Sequence, residues 1–123
     1  MSNDNERLVL DFCDAWSRRD VDELIGYLAA DAVYHNIPMD PVQGHEQIRS
    51  VFGLFVPPSS EISWKVLNVA SAGDVVLTER VDSFVMGAKR VDLPVAGVFE
   101  IRDGKIAAWR DYFDMNTWSS QLA

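Results

Sequence analysis

The segment 75–86, VVLTERVDSFVM, carries two charged residues where a strand is expected to be apolar. Successive side chains of a strand point to opposite faces, so Arg80 and Asp82 share one face with Val76, Thr78 and Phe84. If that face is the concave side of a sheet, a cation and a carboxylate lie side by side among apolar neighbours. Such a pair is either a structural ion pair or part of a reactive site.

A second carboxylate stands alone in the segment IAAWRDYFDM. The alternation of a strand puts Asp111 on one face with Trp109 and Phe113. An unpaired buried carboxylate costs several kcal/mol even after relaxation, roughly 3 or more, so Asp111 needs a partner. Arg80 is the arginine that also lies between apolar positions, and we predict that it bridges Asp82 and Asp111.

Two carboxylates joined by one arginine can transfer protons in both directions if one is protonated while the other is ionised. The alternative is a buried ion cluster that only stabilises the fold.

A second polar pair, Tyr34 and Asn36, lies on one face of AVYHNIP and has room for a water molecule between the two side chains. For that pair the alternative is a core tyrosine beside a surface asparagine.

The spacing of apolar residues changes from helical to strand-like near the middle of the chain, and so do the elements expected to position these residues. Apolar residues at helical spacing predict helices from residue 3 or 4 to about 18, over 21–30, and from 45 or 46 to 55, with a short extended piece over 32–37. Turn signals then separate four runs rich in β-formers, at 61–71, 75–86, 90–101 and 106–115. This order predicts an α+β fold with a four-stranded antiparallel meander. Gly97 is predicted to mark a strand bend or a close approach.

The composition excludes several classes of function. The 123 residues fit one domain spanning 1–123, and 48% hydrophobic residues are typical of a globular protein. A net charge of −8 argues against nucleic-acid and membrane partners. One cysteine and two histidines do not form a zinc cluster, so no metal site is expected. The absence of a leader pattern or an apolar run predicts a cytoplasmic protein.

Four motifs, at 34–36 (YHN), 79–82 (ERVD), 97–99 (GVF) and 109–114 (WRDYFD), occur in the order and spacing of one enzyme family. Over residues 6–114 the sequence resembles the limonene-1,2-epoxide hydrolases. That family belongs to the wider nuclear transport factor 2-like and SnoaL-like group, which includes ketosteroid isomerase. The resemblance implies a cone-shaped roll. In this fold, N-terminal helices pack on a strongly curved, mixed, mostly antiparallel sheet that encloses a deep apolar pocket.

The resemblance also implies roles for individual residues. Asp82 matches the family's general acid, Arg80 the bridging arginine and Asp111 the general base. Tyr34 and Asn36 match the residues that help Asp111 hold the attacking water. Four more residues fall near positions that line the family's pocket: Phe84, Leu93, Val95 and Phe113.

The implied activity is cofactor-free hydrolysis, by a homodimer, of an apolar epoxide to a vicinal diol. Apolar residues around the site favour an alicyclic, terpenoid, aryl or steroidal epoxide. No G-x-S-x-G turn occurs, which favours one-step attack by water over an ester intermediate. Two alternatives remain, because a fold does not determine function. One is a ketosteroid-isomerase-like or polyketide-cyclase-like enzyme, and the other is a non-catalytic small-molecule binder.

Overall fold

A computed structural model describes residues 2–123, with side chains described from Asp4 onward, and over that range the chain has four α-helices and six strands. The helices are α1 Ser2–Ala15, α2 Val21–Gly26, α3 Gly44–Phe55 and α4 Met115–Leu122. The strands are β1 Leu28–Asn36, β2 Val42–Gln43, β3 Ser59–Ala72, β4 Val75–Met86, β5 Lys89–Arg102 and β6 Lys105–Tyr112.

The strands form one curved, open sheet in the order β2-β1-β6-β5-β4-β3. Neighbouring strands are antiparallel except β1 and β6, which run parallel. The predicted meander is β3 to β6, and its three turns contain Gly73, Gly87 and Gly104 with φ of 58°, 62° and 72°. Glycine is favoured there because positive φ crowds a side chain. The predicted α+β architecture with a mixed, mostly antiparallel sheet is confirmed.

The predicted helix over 21–30 is wrong in its second half. Helix α2 ends at Gly26, and β1 begins at Leu28, four residues before the predicted extended piece. Leu28 pairs with Ile106 of β6, whose backbone N–H donates to Tyr27 O at 3.0 Å. Pairing with a strand far along the chain therefore overrides the local helical pattern.

The two ends of the chain also differ from the prediction. Helix α1 begins at Ser2, before the predicted start at residue 3 or 4. The predicted strand over 106–115 ends at Tyr112, and helix α4, which was not predicted, follows. Asp114 caps α4, and its carboxylate accepts a hydrogen bond from Thr117 N at 3.0 Å.

The core lies between α1, α3 and the concave face of the sheet. Phe12 of α1 stands at its centre, with its ring centroid 5.1 to 6.2 Å from those of five other aromatic residues: Trp16, Tyr27, Trp64, Phe99 and Trp109. These rings pack behind the polar residues that β4 and β6 present. Across residues 2–123, no helix combines the length and apolar character needed to cross a bilayer.

Candidate active site

The alternation of β4 and the register of the sheet together place three charged side chains on the concave face. Arg80 and Asp82 point inward from β4, and Asp111 points inward from β6, with β5 between the two strands. Gly97 of β5 pairs with Asp111 on one side and with Thr78 on the other. Because Gly97 has no side chain, the Arg80 guanidinium can reach Asp111 across the intervening strand.

Arg80 uses all five of its N–H groups within the protein. Nε and Nη2 donate to the two oxygens of Asp82 at 2.9 and 2.8 Å. Nη1 and Nη2 donate to the two oxygens of Asp111 at 3.2 and 2.9 Å. The remaining N–H, on Nη1, donates to Thr78 Oγ1 at 3.2 Å. The predicted bridge is therefore present, and its planar fork fixes both carboxylates, which a lysine ammonium cannot do.

The close approach at Gly97 makes it sensitive to a single methyl group. A Cβ there would overlap Arg80 Nη1 and lie 2.9 Å from Asp111 Oδ1. We expect Gly97→Ala to lower the free energy of unfolding by about 1–3 kcal/mol through overpacking and to displace the Arg80–Asp111 contact. Urea unfolding measures the first effect, and a crystal structure of the variant measures the second.

The matched control for this change is Gly53→Ala in α3, where a Cβ would meet no atom within 4 Å. Alanine favours a helix over glycine by up to about 1 kcal/mol, so Gly53→Ala should be neutral or stabilising. A Gly97→Ala protein that is as stable as Gly53→Ala and keeps the Arg80–Asp111 contact would contradict the close approach.

The network is almost fully withdrawn from water, since Arg80 is 1% exposed and both aspartates are 3% exposed. Burial raises the pKa of Asp82 from 3.8 to about 6, against the opposing pull of the Arg80 charge and its hydrogen bonds, with the Asp111 charge adding to the rise. Burial alone would lower the pKa of Arg80, but the charges of Asp111 and Asp82 hold it well above its ordinary value. At a given pH, Asp82 is thus protonated to a larger fraction than an ordinary aspartate with a pKa of 3.8.

Trp109 is a further member of the network and was not among the predicted site residues. Its indole Nε1–H donates to Asp111 Oδ1 at 2.9 Å. Its ring is stacked against Tyr34 at a centroid distance of 3.8 Å and against Phe99 at 5.8 Å. Trp109 and Asp111 lie two residues apart on one face of β6, as Arg80 and Asp82 do on β4. The same spacing in the sequence could therefore have predicted the contact between Trp109 and Asp111. The indole orients Asp111.

Tyr34 and Asn36 lie beside Asp111, as expected, because Asn36 of β1 pairs with Asp111 in register. Both are buried, so the alternative of a surface asparagine is wrong. Tyr34 Oη donates to Asn36 Oδ1 at 2.9 Å, which turns the Asn36 amide NH₂ away from the tyrosine. Burial, with the nearby Asp111 charge, raises the pKa of Tyr34 well above its ordinary value, so its hydroxyl stays protonated.

A cavity of about 610 Å³ opens beside these residues. Asp82, Asp111, Tyr34 and Asn36 form its polar end. The four residues expected to line an apolar pocket all line this cavity: Phe84, Leu93, Val95 and Phe113. Arg80 does not line it, but lies behind the two aspartates that it holds. The structure therefore gathers every predicted site residue in one place.

Helix α4 closes one side of the cavity with residues that were not among the predicted site residues. Met115, Trp118 and Leu122 line the cavity, and Trp118 packs edge-to-face on Phe55 and Phe84 at 5.9 and 5.4 Å. Their spacing of three and four residues after a capping aspartate is a helical pattern. It was missed because the preceding strand was extended through Met115.

Among the residues that the structure describes, no group of three or more His, Cys, Asp or Glu side chains is arranged to hold a metal ion. The cavity is lined by carboxylates. Two of them lie at the end of an apolar cavity, and one has a raised pKa. This arrangement can donate a proton to one atom of a bound molecule and remove a proton from a water next to it.

Comparison with known proteins points to one family. The family model of the limonene-1,2-epoxide hydrolase catalytic domain matches residues 3–123. The epoxide hydrolase EphG of Mycobacterium tuberculosis is 34% identical over 104 residues, which cover 85% of this chain and 69% of that protein.

Two solved structures share the fold over nearly the whole chain. One, an LEH-like epoxide hydrolase of M. tuberculosis, superimposes with a TM-score of 0.86 at 31% identity and covers 98% of this chain and 91% of that chain. The other, a putative polyketide cyclase of Xanthomonas campestris pv. campestris, has a TM-score of 0.87 at 20% identity with coverage of 99% and 98%. At that identity, the cyclase shows the shared fold alone.

Proposed function

The chain belongs to the limonene-1,2-epoxide hydrolase family, and from this we propose that it converts an apolar epoxide to a vicinal diol by one-step attack of water. The observation that carries the proposal is the pair of buried carboxylates, Asp82 and Asp111, held by one guanidinium at the polar end of an apolar cavity. Opening an epoxide with water needs an acid and a base at once. This network contains both.

We assign the proton donor to Asp82. The departing epoxide oxygen becomes a strongly basic alkoxide unless it is protonated as the C–O bond breaks. Burial keeps Asp82 partly protonated near neutral pH, and its carboxyl faces the cavity. Asp82 therefore donates its proton to the ring oxygen, which becomes the first hydroxyl of the diol.

We assign the base to Asp111. Three donors, Arg80 Nη1, Arg80 Nη2 and Trp109 Nε1, bind its carboxylate and hold it in one orientation. Asn36, its neighbour in register, and Tyr34 supply polar groups for the attacking water. The water oxygen bonds to an epoxide carbon, Asp111 accepts one water proton, and that proton returns to Asp82 before the next turnover.

The cavity favours an apolar substrate body, because most of the side chains that line it are aromatic or aliphatic. Alicyclic, terpenoid, aryl and steroidal epoxides all present such a body. A ketosteroid-isomerase-like or cyclase-like proton transfer is the second candidate, and the guanidinium between the two acids disfavours it. An enolate site needs donors facing the substrate, whereas Arg80 gives its donors to the aspartates.

The test is a single turnover with excess protein in heavy-oxygen water, using a panel of apolar epoxides. We expect one labelled oxygen in the diol and inversion at the attacked carbon. If the label is found first in a protein carboxylate and the released diol is unlabelled, one-step attack is contradicted and a covalent ester intermediate is indicated. If no epoxide gives a diol and the protein instead exchanges protons next to the carbonyl of a ketone, the ketosteroid-isomerase-like activity would be favoured.

Turnover is expected to fall as the pH rises through about 6. Asp82 must carry a proton to act as the acid, and its pKa is about 6. Above that value its protonated fraction drops about tenfold per pH unit, so the rate should follow. Initial rates from pH 5 to 9, corrected for uncatalysed opening, measure the effect. A rate that stays level between pH 6 and 8 would remove Asp82 from the role of acid.

We also propose a homodimer formed through the outer face of β4, β5 and β6. That face carries Leu77, which is 47% exposed, next to Val98, and Tyr112, which is 46% exposed. The sheet's other face is covered by helices and the cavity, so a second copy provides a self-complementary cover for the outer one.

Light scattering at micromolar concentration should give about twice the chain mass of 13.8 kDa. Leu77→Glu should reduce the mass to that of one chain because it buries a charge in the interface. Leu54→Glu is the control, since Leu54 of α3 is also exposed but lies away from this face. A wild-type protein with the mass of one chain would contradict the dimer.

A further inference from the structure

The hydrogen bonds of the network leave the polar end of the cavity rich in acceptors. Arg80 has five N–H groups, and all five donate to Asp82, Asp111 and Thr78. Tyr34 gives its hydroxyl hydrogen to Asn36 Oδ1. A bound molecule therefore finds no guanidinium hydrogen to accept. Asn36 offers one amide NH₂ group, and Asp82 offers a proton only while it is protonated. Trp16 and Trp64 also line the cavity, and their indole N–H groups are buried without a hydrogen-bond partner among the described residues.

The two carboxylates keep unused acceptor positions. A carboxylate accepts about four hydrogen bonds. Asp82 receives two, both from Arg80, and Asp111 receives three, from Arg80 and Trp109. Both aspartates line the cavity. A donor group placed between them can therefore bind without displacing Arg80.

Charge and ring faces favour the same kind of ligand. Among the described residues that line the cavity, the charged ones are all acidic: Asp40, Asp82 and Asp111. When both buried aspartates are ionised, Arg80 balances only one of them. Seven aromatic residues also line the cavity, and one of them, Trp64, already has the Arg80 guanidinium 4.2 Å from its ring centroid. Aromatic faces attract cations.

We propose that the cavity binds primary ammonium ions that carry an apolar hydrocarbon body. The three N–H donors of the ammonium bind the free acceptor positions of Asp82 and Asp111, and the hydrocarbon packs on the aromatic and aliphatic walls. The ammonium supplies the positive charge that a proton on Asp82 otherwise supplies. Such an ion competes with the epoxide for the cavity. Only this competition rests on the proposed function, because the binding of the ammonium ion does not require that the protein hydrolyses epoxides.

The direct test compares two ligands of nearly the same shape on the wild-type chain by titration calorimetry at pH 8. Cyclohexylmethylammonium carries the charge, and cyclohexylmethanol is its neutral counterpart. We expect the ammonium to bind about tenfold tighter or more, because its hydrogen bonds to carboxylate are charge-assisted. Equal or tighter binding of the alcohol would overturn the proposal.

Variants locate the bound ion. Asp82→Asn should weaken ammonium binding by about tenfold and change alcohol binding by less than about threefold. Asp11→Asn is the control, because it removes the same charge from an exposed position on α1. If Asp82→Asn does not fold, the same comparison with Asp111→Asn applies. Equal losses in the control and the cavity variant would overturn the assigned site, since general charge would then explain the binding.

The outcome separates this inference from the proposed function. Diol formation without preferential ammonium binding would reject the inference and leave the hydrolase proposal standing. Preferential ammonium binding without diol from any epoxide would support the inference and reject the hydrolase proposal. When both hold, cyclohexylmethylammonium should raise the apparent KM for the epoxide and leave kcat unchanged.

Discussion

Asp82→Asn and Asp111→Asn are each expected to lower diol formation by about 10²–10⁴-fold, the range of a lost general acid or base. Asparagine has nearly the volume of aspartate and keeps some hydrogen bonds to Arg80, so both variants should fold. The amide can neither give up a proton to the epoxide oxygen nor take one from water. Initial rates and thermal midpoints of each variant measure activity and folding separately.

The double variant tests whether the two residues act together. Groups that work as one unit are non-additive, so Asp82→Asn with Asp111→Asn should lose little more than either single change. Asp11→Asn, an exposed aspartate on α1, is the control and should keep the wild-type rate. Folded Asp82→Asn or Asp111→Asn variants within a few fold of wild type would assign the network to fold stability alone.

Arg80→Ala is expected to lower the free energy of unfolding by about 3 kcal/mol or more, because it leaves two buried carboxylates without their counter-charge. The control is Arg102→Ala, which breaks the ion pair with Asp31 between two side chains more than half exposed. An exposed pair contributes at most about 1 kcal/mol, so the control should change little. Chemical unfolding at neutral pH compares the two.

Arg80→Lys separates charge from geometry at the same position. Lysine keeps the positive charge, so it should recover part of the stability that alanine loses. One ammonium cannot hold both carboxylates in the plane that the guanidinium imposes, so diol formation should stay close to that of Arg80→Ala. An Arg80→Lys enzyme with wild-type turnover would show that the charge is sufficient and that the fork is not required.

Strand alternation predicted which side chains of β4 share a face, but it left open which of the two faces points inward. In the structure, Val76, Thr78, Arg80, Asp82 and Phe84 are all buried, so their shared face is the inward one. The same rule left Asp111 unpaired on an apolar face, and the cost of such a charge pointed to Arg80 as its partner. These inferences succeeded because a side chain's face follows from its own position in the strand, and a buried charge has few ways to be balanced.

The helical segments were predicted less well because they depend on distant partners. The pattern of 21–30 is helical up to the point where Leu28 pairs with Ile106, seventy-eight residues later. Helix α4 has its own cap at Asp114, but the predicted strand ran past this cap to Met115, three residues beyond the end of β6 at Tyr112. Short apolar segments suit either state, and the contacts that select one are not local.

Strand alternation predicted which residues share a face, and the cost of the unpaired Asp111 carboxylate predicted the Arg80 bridge. The partner of each individual N–H group could not be predicted in this way. Arg80 donates all five of its N–H groups within the protein, and Gly97 leaves the space in which Arg80 reaches Asp111. Both features depend on register across three strands. Register sums many weak pairings over the whole sheet. The acceptor-rich end of the cavity arises at that level and is not visible in any one segment of the chain.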